Sequence, residues 1–451
     1  MSKIQRKPIL QSRINQKEFG DVGGISVEKK ITELVDFNPT RLVKKGKLAP
    51  FVDMAALPTN GKCISEIGER EFTGSGSKFK NGDTLFARIT PCLENGKTAK
   101  VFGLPEGVAG CGSTEFIVMA AKEPEFDEEY VYYFARLPEF RAFAQARMEG
   151  TSGRQRVSWQ ALTDFSFNFP DKKIRKKVGN ILKELDDKIE LNRQINQTLE
   201  QMAQAIFKSW FVDFDPVRAK MEGRDTGLPA HIADLFPVEL EESELGLKPT
   251  GWHVGSIGDI AKAKGGYAYK GEAFIKIGYR VVKIKNIVGD GTVDISDCDC
   301  IDDELASNTK RFKLGDGDLL IAMTGATVGK VGLIITSGDN VFLNQRVAKF
   351  ESDIFGKKIS WFLFCTFKQK SVFDLIVGSA QGSAQPNISS TQIESTKIIV
   401  PHSDCISKYC EIVDPLFENW MANLNENMNL SVVRDSLLPK LLSGKIEVEK
   451  D

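Results

Sequence analysis

The sequence predicts a mixed α/β (α+β) protein: two strand-rich domains related by internal duplication, each followed by a long helix, the two helices packing on each other along a coiled-coil seam. Three observations predict it. "KFKNGDTLFARITPCLENGKTAKV" (78–101) and "KLGDGDLLIAMTGATVGKVGLI" (313–334) share a Gly-Asp turn, a strand-like apolar run and a Gly-Lys turn. "TSGRQRVSWQAL…FNFP" (151–170) and "GSAQPNISSTQI…IIVP" (382–401) align at a constant separation of 231 positions, Ser152 on Ser383, Val157 on Ile388, Leu162 on Ile393 and Pro170 on Pro401. A helical apolar spacing follows both segments at the same offset.

The elements follow in order. At 451 residues the chain exceeds one ordinary core. Residues 1–170 form an N-terminal arm and the first domain. Residues 171–212 form the first helix. Its seam is read as Val178, Ile181, Leu185, Ile189, Asn192, Ile195, Leu199, Met202 and Ile206, in three- and four-residue steps. From Lys172 to Phe207 such a helix spans ~54 Å at ~1.5 Å per residue. Residues 213–250 are a linker and 251–401 the second domain. Residues 402–451 hold the second helix and a C-terminal tail, with Asn423 and Asn427 repeating Asn192 and Asn196. Asp414-Pro415 reads as a helix restart, Asp as N-cap and Pro at the first helical position.

Composition excludes several classes. The chain is 41% apolar and 27% charged, and no apolar run approaches the ~18–20 residues of a membrane span. The N-terminus is basic without an apolar core, so no secretory signal is read and a cytoplasmic location is expected. Eight scattered cysteines without C-x-x-C, and three histidines, argue against a zinc site. The net charge of −1 hides a basic first hundred residues, about 18 Lys and Arg against about 11 Asp and Glu. That fits a polyanion partner weakly, a solvated face being the alternative.

"MTGATVGKVG" (323–332) approaches a phosphate loop, but Gly325 and Gly329 are one residue too close and Val331 stands where Ser or Thr belongs. Its sibling has Pro91 and Cys92 in place of the leading glycine. "EFTGSGS" (71–77) has the outline of an S-adenosylmethionine loop, but it precedes a Gly-Asp turn instead of opening a helix, and the second half lacks it. No Asn/Asp-Pro-Pro-Tyr/Phe motif accompanies it. The chain is therefore expected not to be an enzyme, neither an ATPase nor an adenine methyltransferase in its own right.

"LEQMAQAIFKSWFVDFDPVRAKMEG" (199–223), "GLPAHIADLFPVELEESELGLKPTGW" (227–252) and "SVVRDSLLPKLLSGKIEV" (431–448) resemble the DNA-specificity subunit of type I restriction–modification enzymes. The resemblance covers nearly the whole chain and implies two target-recognition domains on one side of a spacer in which the two helices pack as an antiparallel coiled coil. It implies a non-catalytic subunit reading a split double-stranded DNA sequence. Modification subunits would carry the S-adenosylmethionine chemistry and restriction subunits the ATP- and Mg²⁺-dependent steps, with no cofactor in this chain. Half-sites about one helical turn apart, ~34–36 Å, suit a rigid spacer better than a flexible one. A coiled-coil scaffold that reads no DNA is the competing class.

Base edges call for guanidinium, ammonium, amide and hydroxyl groups on loops. The first domain offers Lys78, Lys80, Arg88, Lys97, Ser152, Arg154, Gln155 and Arg156. The second offers Tyr267, Tyr269, Lys270, Lys330, Asn344, Gln345, Arg346, Gln381, Ser383, Gln385 and Asn387. "GGYAYKG" (265–271) resembles a family motif; "KKGKLAP" (44–50) is its loose counterpart. Phe207, Trp210, Phe211 and Phe214 are assigned to docking the modification subunits, an intramolecular core being the alternative.

Overall fold

The quartet Thr84–Ala87 is buried along its whole length, as a strand covered on both faces must be. It is the centre of the first of two units in the computed structural model, which describes residues 28–151, 153–380, 386–446 and 448. One unit is Met1–Asp186 with Arg434–Asp451; the other is Asp187–Val433.

The first unit contains β1 (Lys29–Lys30), β2 (Val35–Phe37), β3 (Leu48–Val52), β4 (Gly68–Glu71), β5 (Ser77–Phe79), β6 (Thr84–Ala87), β7 (Thr98–Lys100), β8 (Gly110–Gly112), β9 (Phe116–Ala121) and β10 (Ser166–Phe167). Helices α1 (Pro124–Ala135), α2 (Pro138–Gln145) and α3 (Trp159–Leu162) intervene. An antiparallel sheet has the order β2-β9-β6-β7. A second, β4-β3-β8-β5, contains the parallel pair β3–β8, and β1 pairs with β10. The two-residue side-chain period divides the central sheet. Leu85, Ala99 and Val118 meet Val52 and Phe79 on one face, while Phe86, Ile117 and Met119 meet Tyr130, Val131 and Phe134 on the other. Burying each Leu, Val, Ile, Met or Phe among them contributes about 1.5–3 kcal/mol.

The long helix α4 (Lys172–Phe211) starts where the Asp171 carboxylate accepts from Lys173 N at 2.9 Å, as an N-cap should. Within it Gly179 lets α1 approach: a Cβ there would lie 2.9 Å from the Glu129 Cβ and 3.1 Å from Tyr130 N.

In the second unit, α5 (Asp215–Met221), α6 (Ala230–Ala233) and the hairpin β11 (Leu240–Ser243)–β12 (Gly246–Pro249) come first. The repeated domain has β13 (His253–Ser256), β14 (Lys262–Gly265), β15 (Tyr279–Val282), β16 (Gly291–Thr292), β17 (Asp299–Ile301), α7 (Asp303–Asn308), β18 (Lys313–Leu314), β19 (Leu319–Ala322), β20 (Val331–Leu333), β21 (Val341–Leu343) and β22 (Val347–Glu351). Then come α8 (Ile359–Lys368), α9 (Lys370–Ser379), α10 (Ser390–Glu394), β23 (Lys397–Val400) and α11 (Ser403–Leu442). The sheets are β14-β22-β19-β20-β16 and β17-β15-β21-β18, with β13 on β23. Apart from the added β16, strand order and direction repeat the first unit, including a parallel pair, β15–β21. The Gly-Asp turns also match: Asp83 Oδ2 accepts from Lys80 N and Asp318 Oδ2 from Gly315 N, both at 2.9 Å. The duplication is structural as well as sequential, and α4 and α11 are both 40 residues long.

Three expectations are corrected. First, α11 does not restart at Pro415 but runs through it. The Asp414 carboxylate accepts from Trp361 Nε1 at 2.9 Å and pairs with Lys358, so it does not act as a cap. Buried Tyr409, Val413, Phe417 and Trp420 hold the helix on both sides of the proline, where propensity alone would break it. Second, the seam shifts by one residue at alternate positions. Leu182, Asn196 and Ala203 are buried; Ile195 and Met202 are 38% and 49% exposed. In the second unit Asn196 Nδ2 donates to Trp420 O (3.0 Å) and its Oδ1 accepts from Asn423 (2.9 Å), so hydrogen bonding draws an amide inward past a better hydrophobe. Third, Phe207, Trp210, Phe211 and Phe214 are at most 8% exposed. They pack on Tyr409, Phe236, Phe362 and Trp252 with ring centroids 5.1–5.8 Å apart, forming the core that seats the linker. They have no free face to offer a partner.

Candidate nucleic-acid interface

The repeat aligns the strand ends of both domains residue by residue. In the first unit Arg88 N donates to Glu115 O (3.0 Å), Val157 N donates to Arg88 O (3.0 Å), and Ile89 bridges Arg156. In the second, Met323 N donates to Arg346 O (3.0 Å), Ile388 N donates to Met323 O (2.9 Å), and Thr324 bridges Asn387. Val157 and Ile388 are fully buried anchors. Three chain segments therefore meet at one place in each domain, with Arg156 half-buried beside the Val157 anchor and Asn387 exposed beside Ile388.

In the first unit this edge adjoins a cleft lined by Asn38, Thr40, Arg41, Lys78, Arg88 and Thr114, among others, with no acidic residue in the lining. Arg41 is held by Asp83, Nε–Oδ2 3.3 Å and Nη2–Oδ1 3.0 Å. Burial nonetheless pushes the Asp83 carboxyl above its ordinary range. Lys78 Nζ lies 5.0 Å from the Phe72 ring centroid. Among the described residues the buried Arg88 Nε finds no hydrogen-bond partner. The floor needs Gly76: at φ +115°, a Cβ would lie 2.5 Å from Gly112 O. That close approach accounts for the second glycine of "EFTGSGS", while Gly74 (φ +106°) is required by its backbone conformation.

Lys80 and Arg154 are exposed. Lys97 turns back to donate to Met54 O at 2.9 Å. Gln155 O accepts from Thr90 N at 3.0 Å, and Gln155 N donates to Thr90 Oγ1 at 3.1 Å. Arg156 Nε lies 2.9 Å from both Glu115 carboxylate oxygens, with Nη2 at 2.8 Å from Oε1 and Nη1 donating to Arg154 O at 3.2 Å. Hydrogen bonding to Glu115, then its charge, raises the Arg156 pKa.

In the second unit Tyr267, Lys270, Lys330, Gln345, Arg346 and Asn387 are exposed. Tyr267 N donates to Leu343 O and Gln345 N to Tyr267 O, both at 2.9 Å, so "GGYAYKG" lies beside the β21–β22 turn. Tyr269 is buried, its hydroxyl 3.2 Å from Thr309 Oγ1, and Asn344 Oδ1 caps the turn by accepting from Arg346 N at 3.2 Å. These two side chains serve the fold. Lys330 follows Gly329 (φ +81°) in a turn that opens onto strand β20, so the helix N-terminus that a nucleotide phosphate needs is missing there. Ser152, Gln381, Ser383 and Gln385 lie outside the described residues. Sequence reasoning passed over Arg41, Glu115 and Thr114; the offset of 231, which sets Glu115 opposite Arg346, could have found Glu115.

The fold and this edge define a protein with two copies of one α/β recognition domain, each exposing cations and amides at its strand ends. The chain belongs to the family of the type I restriction modification DNA specificity domain, whose model matches residues 15–201 and 249–429. It is 28% identical to the HindI specificity subunit of Haemophilus influenzae, over 95% of this chain and 99% of that one. It is 24% identical to the EcoAI specificity subunit of Escherichia coli, over 85% and 76%. A solved type I restriction-modification S subunit from M. genitalium aligns over 94% of this chain and 96% of that one, at 17% identity and TM-score 0.47. The family match makes DNA specificity within a type I restriction–modification system its function. No helix among the described residues is long and apolar enough to cross a membrane.

Proposed function

We propose that the chain reads a bipartite double-stranded DNA target, one block through each unit, as the non-catalytic subunit of a cytoplasmic complex. The observation that carries this is the repeated edge: one backbone frame, built twice, presents different side chains in each copy. Modification subunits would supply S-adenosylmethionine-dependent methylation, and restriction subunits the ATP- and Mg²⁺-dependent steps. Cations of the edge, Lys78, Lys80, Lys270 and Lys330 among them, would meet phosphates, which fix position, while amides and guanidinium groups meet base edges, which fix sequence. Partner docking, no longer assignable to the Phe207 cluster, would fall on exposed apolar residues of α4 such as Leu191, Ile195 and Met202.

The test is a long-read methylation map of the source strain with and without this gene, repeated with the neighbouring methyltransferase co-expressed. Loss of adenine methylation at one motif of two short blocks separated by unread bases is expected. An unchanged map under co-expression would leave a scaffold that reads no DNA.

A further inference from the structure

Because the chain contains its own comparison, the two edges can be read against each other position by position. Glu115 of the first unit occupies the place of Arg346 in the second, since each carbonyl accepts from the residue that ends the central strand, Arg88 or Met323. Arg156 occupies the place of Asn387, each bridged to the following residue, Ile89 or Thr324. In the first unit the two side chains are locked together, with exposures of 41% for Arg156 and 23% for Glu115. In the second, Arg346 makes no ion pair among the described residues.

A guanidinium carries five N–H donors. On Arg156, Nε and one N–H of Nη2 face Glu115, and one N–H of Nη1 goes to Arg154 O. One N–H remains on each terminal nitrogen. The carboxylate also offsets the cation's charge, which weakens any attraction to phosphate but leaves the pair of donors and its direction intact. A charge-compensated, oriented guanidinium is suited to paired acceptors on a base edge, and guanine O6 and N7 are that pair. An exposed cation such as Lys330, with no ion pair among the described residues, suits a phosphate better.

We propose that Arg156 reads a guanine in the DNA block bound by the first unit, and that Glu115 is its positioning residue. This rests on the bipartite reading above. The second unit, with Arg346 and Asn387 at the same two places, reads its own block by different contacts, so the two blocks differ.

The experiment is methylation mapping of the complete complex formed with the methyltransferase, carrying wild-type chain, Arg156→Lys, Arg156→Gln, Glu115→Gln or Glu115→Asp. Arg156→Lys keeps the charge and the surface while losing the fork, which guards against a folding artefact. The expected result is relaxation at one guanine of one block for both Arg156 variants, discrimination there falling about 10–100-fold, with the other block unchanged. Glu115→Gln relaxes the same base, and Glu115→Asp restores it. A uniform fall in methylation with the motif intact would overturn the proposal, as it marks a phosphate contact or a purely structural pair. So would an unchanged motif in every variant. A wild-type complex that methylates no bipartite motif would instead overturn the reading on which the proposal stands.

Discussion

Arg434 and Asp186 are 1% and 4% exposed at their side chains, yet both are charged. In the first unit Arg434 Nη1 meets Asp186 Oδ1 at 2.6 Å, and the other Asp186 oxygen accepts from Tyr133 Oη at 2.8 Å. Burial lowers the Arg434 pKa, but the Asp435 hydrogen bond and the charges of Asp186 and Asp435 outweigh it and raise the net value. Breaking such a pair leaves one charge buried without its counterion. Arg434→Met should therefore cost about 3–5 kcal/mol in denaturant unfolding of the first unit, and Asp186→Leu combined with it should recover most of that loss. A double variant no more stable than the single one would show that the pair is net stabilising. Lys330 is the opposite kind of residue, an exposed cation on a turn. Lys330→Ala should weaken DNA binding and lower the slope of log affinity against log salt by about 1, with folding stability unchanged.

Along the helices of the second unit, polar side chains do work that hydrophobes do elsewhere. Asn192 Nδ2 donates to Glu426 Oε2 (2.7 Å) and to Asn427 Oδ1 (2.9 Å), and Lys188 lies 3.3 Å from the same Glu426 oxygen. The hydrogen bond from Asn192, with help from Lys188, lowers the Glu426 pKa below its ordinary 4.5. A carboxyl depressed in the folded state stabilises above its unfolded pKa and ceases to as pH falls through the folded one. The melting-temperature gap between wild type and Glu426→Gln, open at pH 7, should thus close below about pH 4.5. The observed seam makes a second prediction. Ala203→Asp buries a carboxylate at a 1% exposed position and should cost several kcal/mol, whereas Ile195→Ser should stay within about 0.5 kcal/mol. What could be read beforehand follows the same division. The duplication, both helices and the strands around Leu85 and Leu320 were legible because apolar periodicity carries them. The seam at Asn196 and the burial of Tyr269 were not, because each depends on a partner distant in sequence: Trp420 and Asn423 for one, Thr309 for the other. The recognition edge was half legible. Residue type points to Arg156 and Arg346, but Lys97 bends back to Met54, and Glu115, an acid, is not a residue type that base edges or phosphates call for.

Across the molecule, the order of residues along the chain and the order of stability need not agree. The first unit begins near the N-terminus but is completed by the last turns of α11: Leu438, Leu441 and Leu442, at most 4% exposed, join Val178, Leu182 and Tyr130 in its core. Tyr130 Oη also donates to Leu442 O at 3.1 Å. Losing one buried leucine typically costs about 2–5 kcal/mol, and removing the turn takes all three together with the partner of Asp186. The second unit ends at Val433, and its helix contacts at Tyr409, Trp420 and Asn423 lie upstream of any cut after residue 433. Truncation after Val433 should therefore damage the domain farthest from it in sequence. Hydrogen exchange should accelerate across β6, β9 and α1 while β19 and β22 keep their protection, and DNA binding should lose the contribution of the first unit alone. Equal loss in both sheets would mean that the two units unfold as one cooperative body.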